Sequence, residues 1–339
     1  MRDVSTYKER RQPSEMIHNF KSKANNSSFF SLNSQILCKF ARKFAMKRLM
    51  NSKKKKKQRW FVPAGMEPTE MDLKIMAWEA KGKLVPTPSL IRTKEQIEGI
   101  RKAGVLNTAV LDAVAAQIRE GMSTAEIDRI VYDYTTQHGG IPAPLNFEGF
   151  PNSCCTSIND VVCHGIPSED DILEEGDIIN VDCTTILNGY YADASRMFII
   201  GKTSPERQRL VDVAWECLKI GEQVCSEPYV FVGDLGNAIA KHAHKNGYSV
   251  VRDLCGHGVG IDFHEEPDVE HYGKKGTGML LVPGMTFTIE PMINGGDWYV
   301  CGDAEDETEW IVLTEDGADS AQWEHTYLMT ENGVEVLTH

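Results

Sequence analysis

The sequence predicts an α+β fold that is built from two related halves. Helical patterns and strand-like runs occupy separate stretches, and the order of two helices followed by strands occurs twice. A His-Gly pair follows the helices each time, His164-Gly165 in the first half and His257-Gly258 in the second. An Asn-Gly pair between two strand-like runs adds a β-hairpin to the first half. The pattern therefore predicts two similar units that face one another.

Capping boxes begin both predicted helices of the first half. Thr93 is followed three residues later by Gln96, and apolar residues then recur at helical spacing as far as residue 118. Ser123 and Glu126 repeat this signature, and the helix that they begin ends before Gly139-Gly140. In a capping box the two side chains bond to backbone N–H groups that the first turn leaves without partners, which is why the pattern marks a helix start.

The second half repeats the order with different end signals. Pro205 at a first-turn position predicts a third helix through about residue 224, because proline fits the first helical position. A fourth helix is predicted from about Asp234 to Lys245, before the C-cap pair Asn246-Gly247. Strand-like segments follow at 249–255, 285–293, 309–314 and 323–330.

The hairpin at residues 177–200 places two carboxylates close together. Asn188-Gly189 predicts a two-residue type I′ turn, and that turn fixes the register. In this register Asp182 and Thr184 share one face, and Asp193, opposite Thr184, becomes a diagonal neighbour of Asp182. The remaining facing pairs are Leu187 with Tyr190 and Asp182 with Ser195. Diagonal neighbours lie roughly 7–8 Å apart, so both carboxylates can reach a common ion.

Further polar residues occupy apolar or Gly-rich settings. Glu290 lies in FTIEPMI and Glu324 in AQWEHTYLM, although Glu is rarely buried unless it is paired. His164 lies in VVCHGIP, His257 in CGHGVG and His264 in DFHEEP. The glycines after His164 and His257 make turns or would let a substrate backbone approach closely.

Each of these carboxylates taken alone could be an exposed strand residue. For two Asp, two Glu and a His together, that explanation requires five coincidences. Such a set suits divalent Mn, Fe, Co or Zn, and the excess of oxygen ligands favours two ions over one tetrahedral zinc. The segment HEEPDVEH is not an HExxH zinc motif, because its spacing differs and Pro267 would break the helix.

Composition separates a basic leader from an acidic body. Of 339 residues, 41% are hydrophobic, which is enough for a sizeable core. Residues 1–60 hold 17 of the 36 Lys and Arg but only 3 of the 49 Asp and Glu, so their net charge is +14 and that of the rest is −27. We expect a disordered extension over 1–83 and a catalytic domain over 84–339.

The leader has alternative interpretations. Its charge would suit contact with RNA or the ribosome, its apolar residues could line one side of a basic helix in an organelle transit peptide, and translation could instead begin later at Met46, Met50 or Met66. Nine cysteines without C-x-x-C favour a reducing compartment. No apolar run is long enough for a membrane span, and the h-region of a secretory signal is absent. We therefore expect a cytoplasmic protein without a membrane partner, organelle targeting being the alternative.

The motifs together resemble the type I methionine aminopeptidases. The segments that carry the resemblance are CHGIP, NVDCTTILNGYYADASRMF, CGHGVG, FHEEP, TIEP and AQWEHT, and it extends over about residues 86–335. It implies the pita-bread fold, in which two pseudo-symmetric halves share a central antiparallel sheet that helices cover. It also implies a single-chain monomer.

The resemblance further implies a dinuclear metal site and its accessory residues. Its ligands would be Asp182, Asp193, His257, Glu290 and Glu324, with Asp193 and Glu324 bridging. Two divalent ions, of Co, Mn, Fe or Zn, would activate the water that attacks the peptide bond. By the same resemblance, Glu290 accepts a proton and His264 bonds the scissile carbonyl oxygen. His164 contacts the substrate's backbone nitrogen and passes a proton to the leaving amine.

The resemblance assigns the family's methionine pocket to a set of aromatic residues and one cysteine. Aromatic walls and a thiol suit a thioether, although aromatic residues at such positions are also common in ordinary cores. Phe147 and Phe150 stand where tyrosines are common in the family, and Trp310 is assigned by its distance from Glu324. The resemblance also implies a monovalent cation near Asn159, Val161 and Ser320. The pocket residues are Phe147, Phe150, Cys155, Phe263 and Trp310.

The implied activity is removal of the initiator methionine from nascent polypeptides whose second residue is small. An X-Pro peptidase of the same fold is one alternative, and it would cleave before proline. A non-catalytic relative that binds peptide or RNA is another, although such relatives typically lose metal ligands and all five are present here.

Overall fold

The computed structural model describes residues 60–338, and these residues form five helices and seventeen strands, several of them short. The helices are α1 (Glu70–Ala80), α2 (Lys94–Ala115), α3 (Thr124–Gln137), α4 (Pro205–Val224) and α5 (Val232–Lys245). The strands of the first half are β1 (Ile141–Pro142), β2 (Cys155–Ile158), β3 (Val161–Cys163), β4 (Ile178–Leu187) and β5 (Tyr190–Ile199). Those that follow are β6 (Val230–Phe231), β7 (Ser249–Val250), β8 (Gly256–Gly258), β9 (Glu265–Val269), β10 (Leu280–Leu281), β11 (Thr286–Ile289), β12 (Met292–Asn294), β13 (Val300–Gly302), β14 (Val312–Thr314), β15 (Ser320–Gln322), β16 (His325–Thr330) and β17 (Gly333–Val336).

The two largest sheets among the described residues are antiparallel, and they contact each other through β5 and β16. In the first half, β4 pairs with β1, β2 and β5. In the second half, the order is β17-β16-β11-β8-β9. A bridge between Ser195 and Glu324 joins the two sheets, and the backbone N–H of each residue donates to the carbonyl of the other at 3.3 Å. Helices α2 and α3 pack beside the first sheet, while α4 and α5 pack together against the second half. The α+β prediction is confirmed.

The predicted helix starts are largely confirmed. The Thr93 and Ser123 side chains accept from the backbone N–H of Gln96 and Glu126, and Pro205 is the first residue of α4. Helix α5 begins at Val232, slightly before the expected start near Asp234. The reason is that Asp234 occupies the third helical position, from which its carboxylate accepts a 2.9 Å hydrogen bond from the Phe231 N–H.

The strand predicted at 285–293 is wrong as a single element. It divides into β11 and β12, which lie in different sheets, and Glu290-Pro291 separates them. Proline has no N–H for the ladder, so the chain leaves one sheet here. The segment predicted at 323–330 begins as β16 only at His325, while β15 ends at Gln322. Both buried glutamates therefore lie at breaks between strands.

Two other predicted strands are shorter than expected. The segment at 249–255 contributes only β7 before a turn leads into β8, and that at 309–314 contributes only β14. Turns and strand breaks of this kind remove residues from the ladders without changing the apolar pattern on which the prediction depended.

Residues 60–83 do not match the extension expected over 1–83. Helix α1 lies there, and it buries Ile75, which is 0% exposed, in the core of the second half together with Trp60. The Trp60 indole N–H donates to Asp72 at 2.9 Å. The apolar residues of α1 do not form one stripe, so helical periodicity gave no signal. The basic leader up to residue 59 lies outside the described residues.

No described helix combines the length and the hydropathy that a bilayer span requires.

Candidate active site

The β4–β5 hairpin has the register that Asn188-Gly189 predicts. Thr184 faces Asp193, and Asp182 faces Ser195. The Thr184 hydroxyl donates to Asp193 Oδ1 at 2.8 Å, and the Asp193 N–H donates to Thr326 of the second sheet at 2.9 Å. The carboxylates of Asp182 and Asp193 therefore lie on one face of the hairpin, where Asp193 contacts the other half.

His257, in β8, brings an imidazole to the same point. Its Nε2 lies 3.7 Å from Asp193 Oδ2 and 3.5 Å from Glu290 Oε1. Its Nδ1 lies 3.0 Å from the Gly258 carbonyl, which can only accept, so Nδ1 carries the proton and Nε2 keeps its lone pair. Burial lowers the pKa of His257 to about 4, which leaves the ring neutral near pH 7. A neutral ring with a free Nε2 is the form that binds metal ions.

The two glutamates at the strand breaks complete the cluster. Glu290 Oε1 accepts from the Thr288 hydroxyl at 2.7 Å, and its Oε2 accepts from the Gln322 amide at 3.2 Å. Glu324 is held through its backbone by the bridge to Ser195. Within the described residues, the buried Oε1 of Glu324 has no hydrogen-bond partner. An unpartnered buried carboxylate oxygen is costly unless a cation satisfies it.

The electrostatics of the cluster also favour bound cations. Ligand atoms of Asp193, His257 and Glu324 all lie within 4.8 Å of one another. Burial raises the pKa of Asp182 to about 7, and burial together with the nearby carboxylate of Asp182 raises that of Glu290 to about 8. The same two causes raise the pKa of Asp193 and Glu324 well above the ordinary range. Of the described residues that line the cavity, none is Lys or Arg. Four carboxylates and an imidazole without a basic partner fit divalent ions.

His264 lies beside this cluster in the same cavity. Its ring lies 4.5 Å from that of His257, between centroids, and it stacks on Phe263 at 4.2 Å. Phe147 packs against both, at 4.8 Å from Phe263 and 5.4 Å from His264. The aromatic side chains therefore support the face of the His264 ring.

His164 and the remaining pocket residues pack together along another part of the cavity lining. Trp310 packs edge-on against both His164 and Phe150, at 5.7 and 5.4 Å. Cys155 joins Phe150 and Trp310 in one buried apolar cluster. All twelve predicted site residues line this one cavity: Phe147, Phe150, Cys155, His164, Asp182, Asp193, His257, Phe263, His264, Glu290, Trp310 and Glu324.

Comparison with known proteins identifies the family of this chain. The model of metallopeptidase family M24 matches residues 98–331. The chain belongs to this family. Methionine aminopeptidase A of Synechocystis is 48% identical to it over 246 residues, which are 73% of this chain and 96% of that protein. Methionine aminopeptidase 1 of Saccharomyces cerevisiae is 46% identical over 249 residues, 73% of this chain and 63% of the yeast protein.

Solved structures also share the fold of this M24 member. A methionine aminopeptidase from Rickettsia prowazekii matches with a TM-score of 0.71 and 42% identity, over 74% of this chain and 99% of that one. A prolidase from Pyrococcus furiosus matches with a TM-score of 0.59 and 23% identity, over 74% of this chain and 65% of the prolidase. The second likeness concerns the fold alone. The expected pita-bread fold is confirmed.

The candidate site contains residues that the sequence patterns did not indicate. Gln322 holds Glu290, and the Glu290 N–H donates to Nε2 of buried His271 at 3.0 Å. Gln322 could have been found, since it precedes Glu324 by two residues in the same motif. His271 gave no signal, because the segment HEEPDVEH lacks the spacing of a zinc motif.

The glycines beside His164 and His257 have a local reason. A Cβ at Gly165 would lie 2.0 Å from the Thr156 carbonyl oxygen, and one at Gly258 would lie 2.1 Å from that of Glu266. Neighbouring backbone therefore requires both glycines, whether or not a substrate approaches them.

The monovalent cation expected near Asn159, Val161 and Ser320 stays a prediction. Of these residues, Asn159 and Ser320 are in contact, since the Ser320 N–H donates to the Asn159 carbonyl at 2.8 Å.

Proposed function

We propose that this M24 member removes the initiator methionine from nascent polypeptide N-termini when the second residue is small. One observation carries the proposal: the apolar pocket of aromatic rings and a thiol is continuous with the carboxylate and imidazole cluster in a single cavity. Aromatic walls and a thiol suit the thioether of methionine. The curated relatives that match over most of this chain are named methionine aminopeptidases.

In this proposal, the five clustered side chains hold two divalent ions of the Mn, Fe, Co or Zn type. Asp193 and Glu324 would be shared by the two ions, and Asp182, His257 and Glu290 would supply the other ligand atoms. When bound, such ions lower the pKa of water, so that hydrolysis proceeds near neutral pH. The hydroxyl of Thr288 and the amide of Gln322 fix the Glu290 carboxylate, which accepts the proton of the attacking water.

The accessory histidines act on the substrate. His264 donates a hydrogen bond to the scissile carbonyl oxygen as negative charge develops on it. Burial lowers the pKa of His164 to about 4, and Trp310 packs edge-on against its ring. A neutral imidazole held in this way accepts the substrate's backbone N–H through one ring nitrogen. The lowered pKa favours this contact over proton donation by His164.

Steady-state cleavage of Met-Ala-Ser tests the function. We expect methionine release that is lost after EDTA and recovered when Mn, Co, Fe or Zn is restored separately. Glu324→Gln should lose the activity, while Glu315→Gln, an exposed control, should keep it. Release of alanine from Ala-Pro peptides with no cleavage of Met-Ala-Ser would favour the X-Pro alternative. A folded protein that cleaves neither peptide with any metal would favour a binding role and contradict the proposal.

The basic leader is proposed to add contact with RNA or the ribosome, in a cytoplasmic monomer. The support is its net charge of +14 over residues 1–60. Because phosphate contacts release counterions, binding should weaken steeply as salt rises. Ribosome co-sedimentation over a salt series, with and without residues 1–59, tests this contact. Unchanged co-sedimentation after the deletion would exclude it, and a fluorescent fusion of the full chain would report organelle targeting.

A further inference from the structure

The loop that carries His264 is short and connects two paired strands. Residues 259–264 join β8 to β9, and Gly258 pairs with Glu265 at the base of the loop. Two backbone hydrogen bonds hold the start of the loop. The Tyr191 N–H donates to the Gly260 carbonyl at 2.9 Å, and the Gly260 N–H donates to the Asp262 carbonyl at 3.3 Å. The position of the His264 ring therefore depends on how the rest of this loop is fixed.

The side chain of Glu265 turns back and fixes the tip of the loop. Its Oε1 accepts hydrogen bonds from the backbone N–H groups of Ile261 at 2.9 Å and Asp262 at 3.1 Å. These two N–H groups immediately precede Phe263 and His264. A carboxylate that accepts two adjacent N–H groups makes charge-assisted bonds, which are about twice as strong as neutral ones.

Arg92 fixes the Glu265 carboxylate from the other side. Its Nη2 lies 2.7 Å from Glu265 Oε2, and Arg92 is 7% exposed. Its Nε donates to the Thr286 hydroxyl at 3.0 Å, and that hydroxyl donates to the Val259 carbonyl at 2.5 Å. Arg92 thus binds both ends of the loop, directly through Glu265 and indirectly through Thr286. It lies before residue 98, where the family match begins.

We propose that Arg92 and Glu265 are positioning residues that hold His264 in its catalytic orientation. The inference rests on the proposed function, because in that function His264 donates a hydrogen bond to the scissile carbonyl oxygen. A buried ion pair alone is weak support for stability, since desolvation offsets most of the attraction. This pair differs from an ordinary buried pair in that its remaining bonds lead to the His264 loop.

Two double variants isolate the hydrogen bonds from the Ile261 and Asp262 N–H groups to the side chain of residue 265. Arg92→Met with Glu265→Gln removes both charges but keeps an oxygen for the Ile261 and Asp262 N–H groups. Arg92→Met with Glu265→Leu removes that oxygen as well. Neither variant leaves an unpaired buried charge, so both should fold, and melting temperature and metal content would be measured for each. We expect kcat of the Leu variant to be about 10–100-fold below that of the Gln variant, because a shift of about 1 Å in a catalytic group can lower the rate by about 100-fold. KM should change less than kcat.

The same comparison in a His264→Ala background decides whether the effect passes through His264. We expect the difference in kcat between the two variants to disappear there. An equal difference in both backgrounds, or no difference with His264 present, would overturn the inference.

Hydrogen exchange of the peptide covering residues 259–264 gives a readout that needs no turnover. Exchange should be faster in the Leu variant than in the Gln variant, and equal exchange would count against the proposed contact. If the unaltered protein releases no methionine while the two variants still differ in exchange, the proposed function fails and the loop contact stands.

Discussion

The Thr184 hydroxyl donates a 2.8 Å hydrogen bond to Oδ1 of Asp193, its direct partner across the β4–β5 hairpin. The bond lies between buried side chains, where competition from water is absent. It leaves Oδ2 of Asp193 facing His257. The pair thus orients one oxygen of a proposed bridging ligand.

Thr184→Val should weaken metal binding by about 10–100-fold while the fold is kept, because orienting partners of ligands have effects of this size. Titration of the chelated protein with Mn or Co, followed by calorimetry, measures the change. Thr156→Val is the matched control, since this buried hydroxyl on neighbouring β2 has no hydrogen-bond partner among the described residues. Equal affinities for the two variants would argue against an orienting role for Thr184.

Asp193→Asn should abolish activity and metal binding, yet raise the melting temperature of the metal-free protein. The amide oxygen can still accept from Thr184, while one of four crowded buried carboxylates is removed. Relief of roughly 1 kcal/mol corresponds to an increase of about 2–4 °C for a domain of this size. Thermal unfolding in EDTA measures the increase, and addition of metal should stabilise only the unaltered protein. Retained turnover with full metal content would exclude Asp193 as a ligand.

Much of the first half was predictable because its signals are local. The Asn188-Gly189 turn fixes the register of β4 and β5 within one hairpin, so the placement of Asp182, Thr184 and Asp193 required no knowledge of the other half. The capping boxes at Thr93 and Ser123 are also complete within four residues. Turns and caps of this kind form between residues that are close in sequence, so contacts with distant segments do not alter them.

Features that depend on contact between distant segments were not predictable. The apolar runs around Glu290 and Glu324 predicted continuous strands, whereas the chain changes sheets near both residues. Arg92 and Glu265 meet only in the folded protein, and no spacing rule links them. The site residues were identified because an ionisable group in an apolar run is conspicuous, while their supporting partners lie in ordinary surroundings.

The stability of the metal-free protein should decrease as pH rises from about 6.5 to 8. Burial raises the folded-state pKa of Asp182 to about 7 and that of Glu290 to about 8, so the folded protein retains protons that the unfolded chain releases above pH 4. The stability that these groups contribute is therefore lost as pH rises through the folded-state values. Below pH 6.5 the buried neutral histidines act in the opposite direction, because the pKa of each is lowered: His164, His257 and His271.

Urea unfolding in EDTA at pH 6.5 and 8.0 measures this decrease. Glu290→Gln should make it smaller, and Glu315→Gln should leave it as it is. A metal-free protein that is equally stable at both pH values would contradict the raised pKa of these carboxylates.

Ile75→Ala should lower the free energy of unfolding by about 2–5 kcal/mol, the usual effect of truncating a fully buried Ile. Ile75 is 0% exposed and belongs to the same core as Phe287 and Tyr327 of β11 and β16, the strands that flank the two proposed glutamate ligands. Leu73→Ala, on the same helix, is the control. Its side chain is 54% exposed, so the change should stay within about 0.5 kcal/mol. Urea unfolding of both variants tests whether α1 is part of the catalytic body. Equal small effects would mean that the catalytic domain begins after α1. A large effect at Ile75 alone would mean that deletions extending past residue 60 destabilise the strands beside the site.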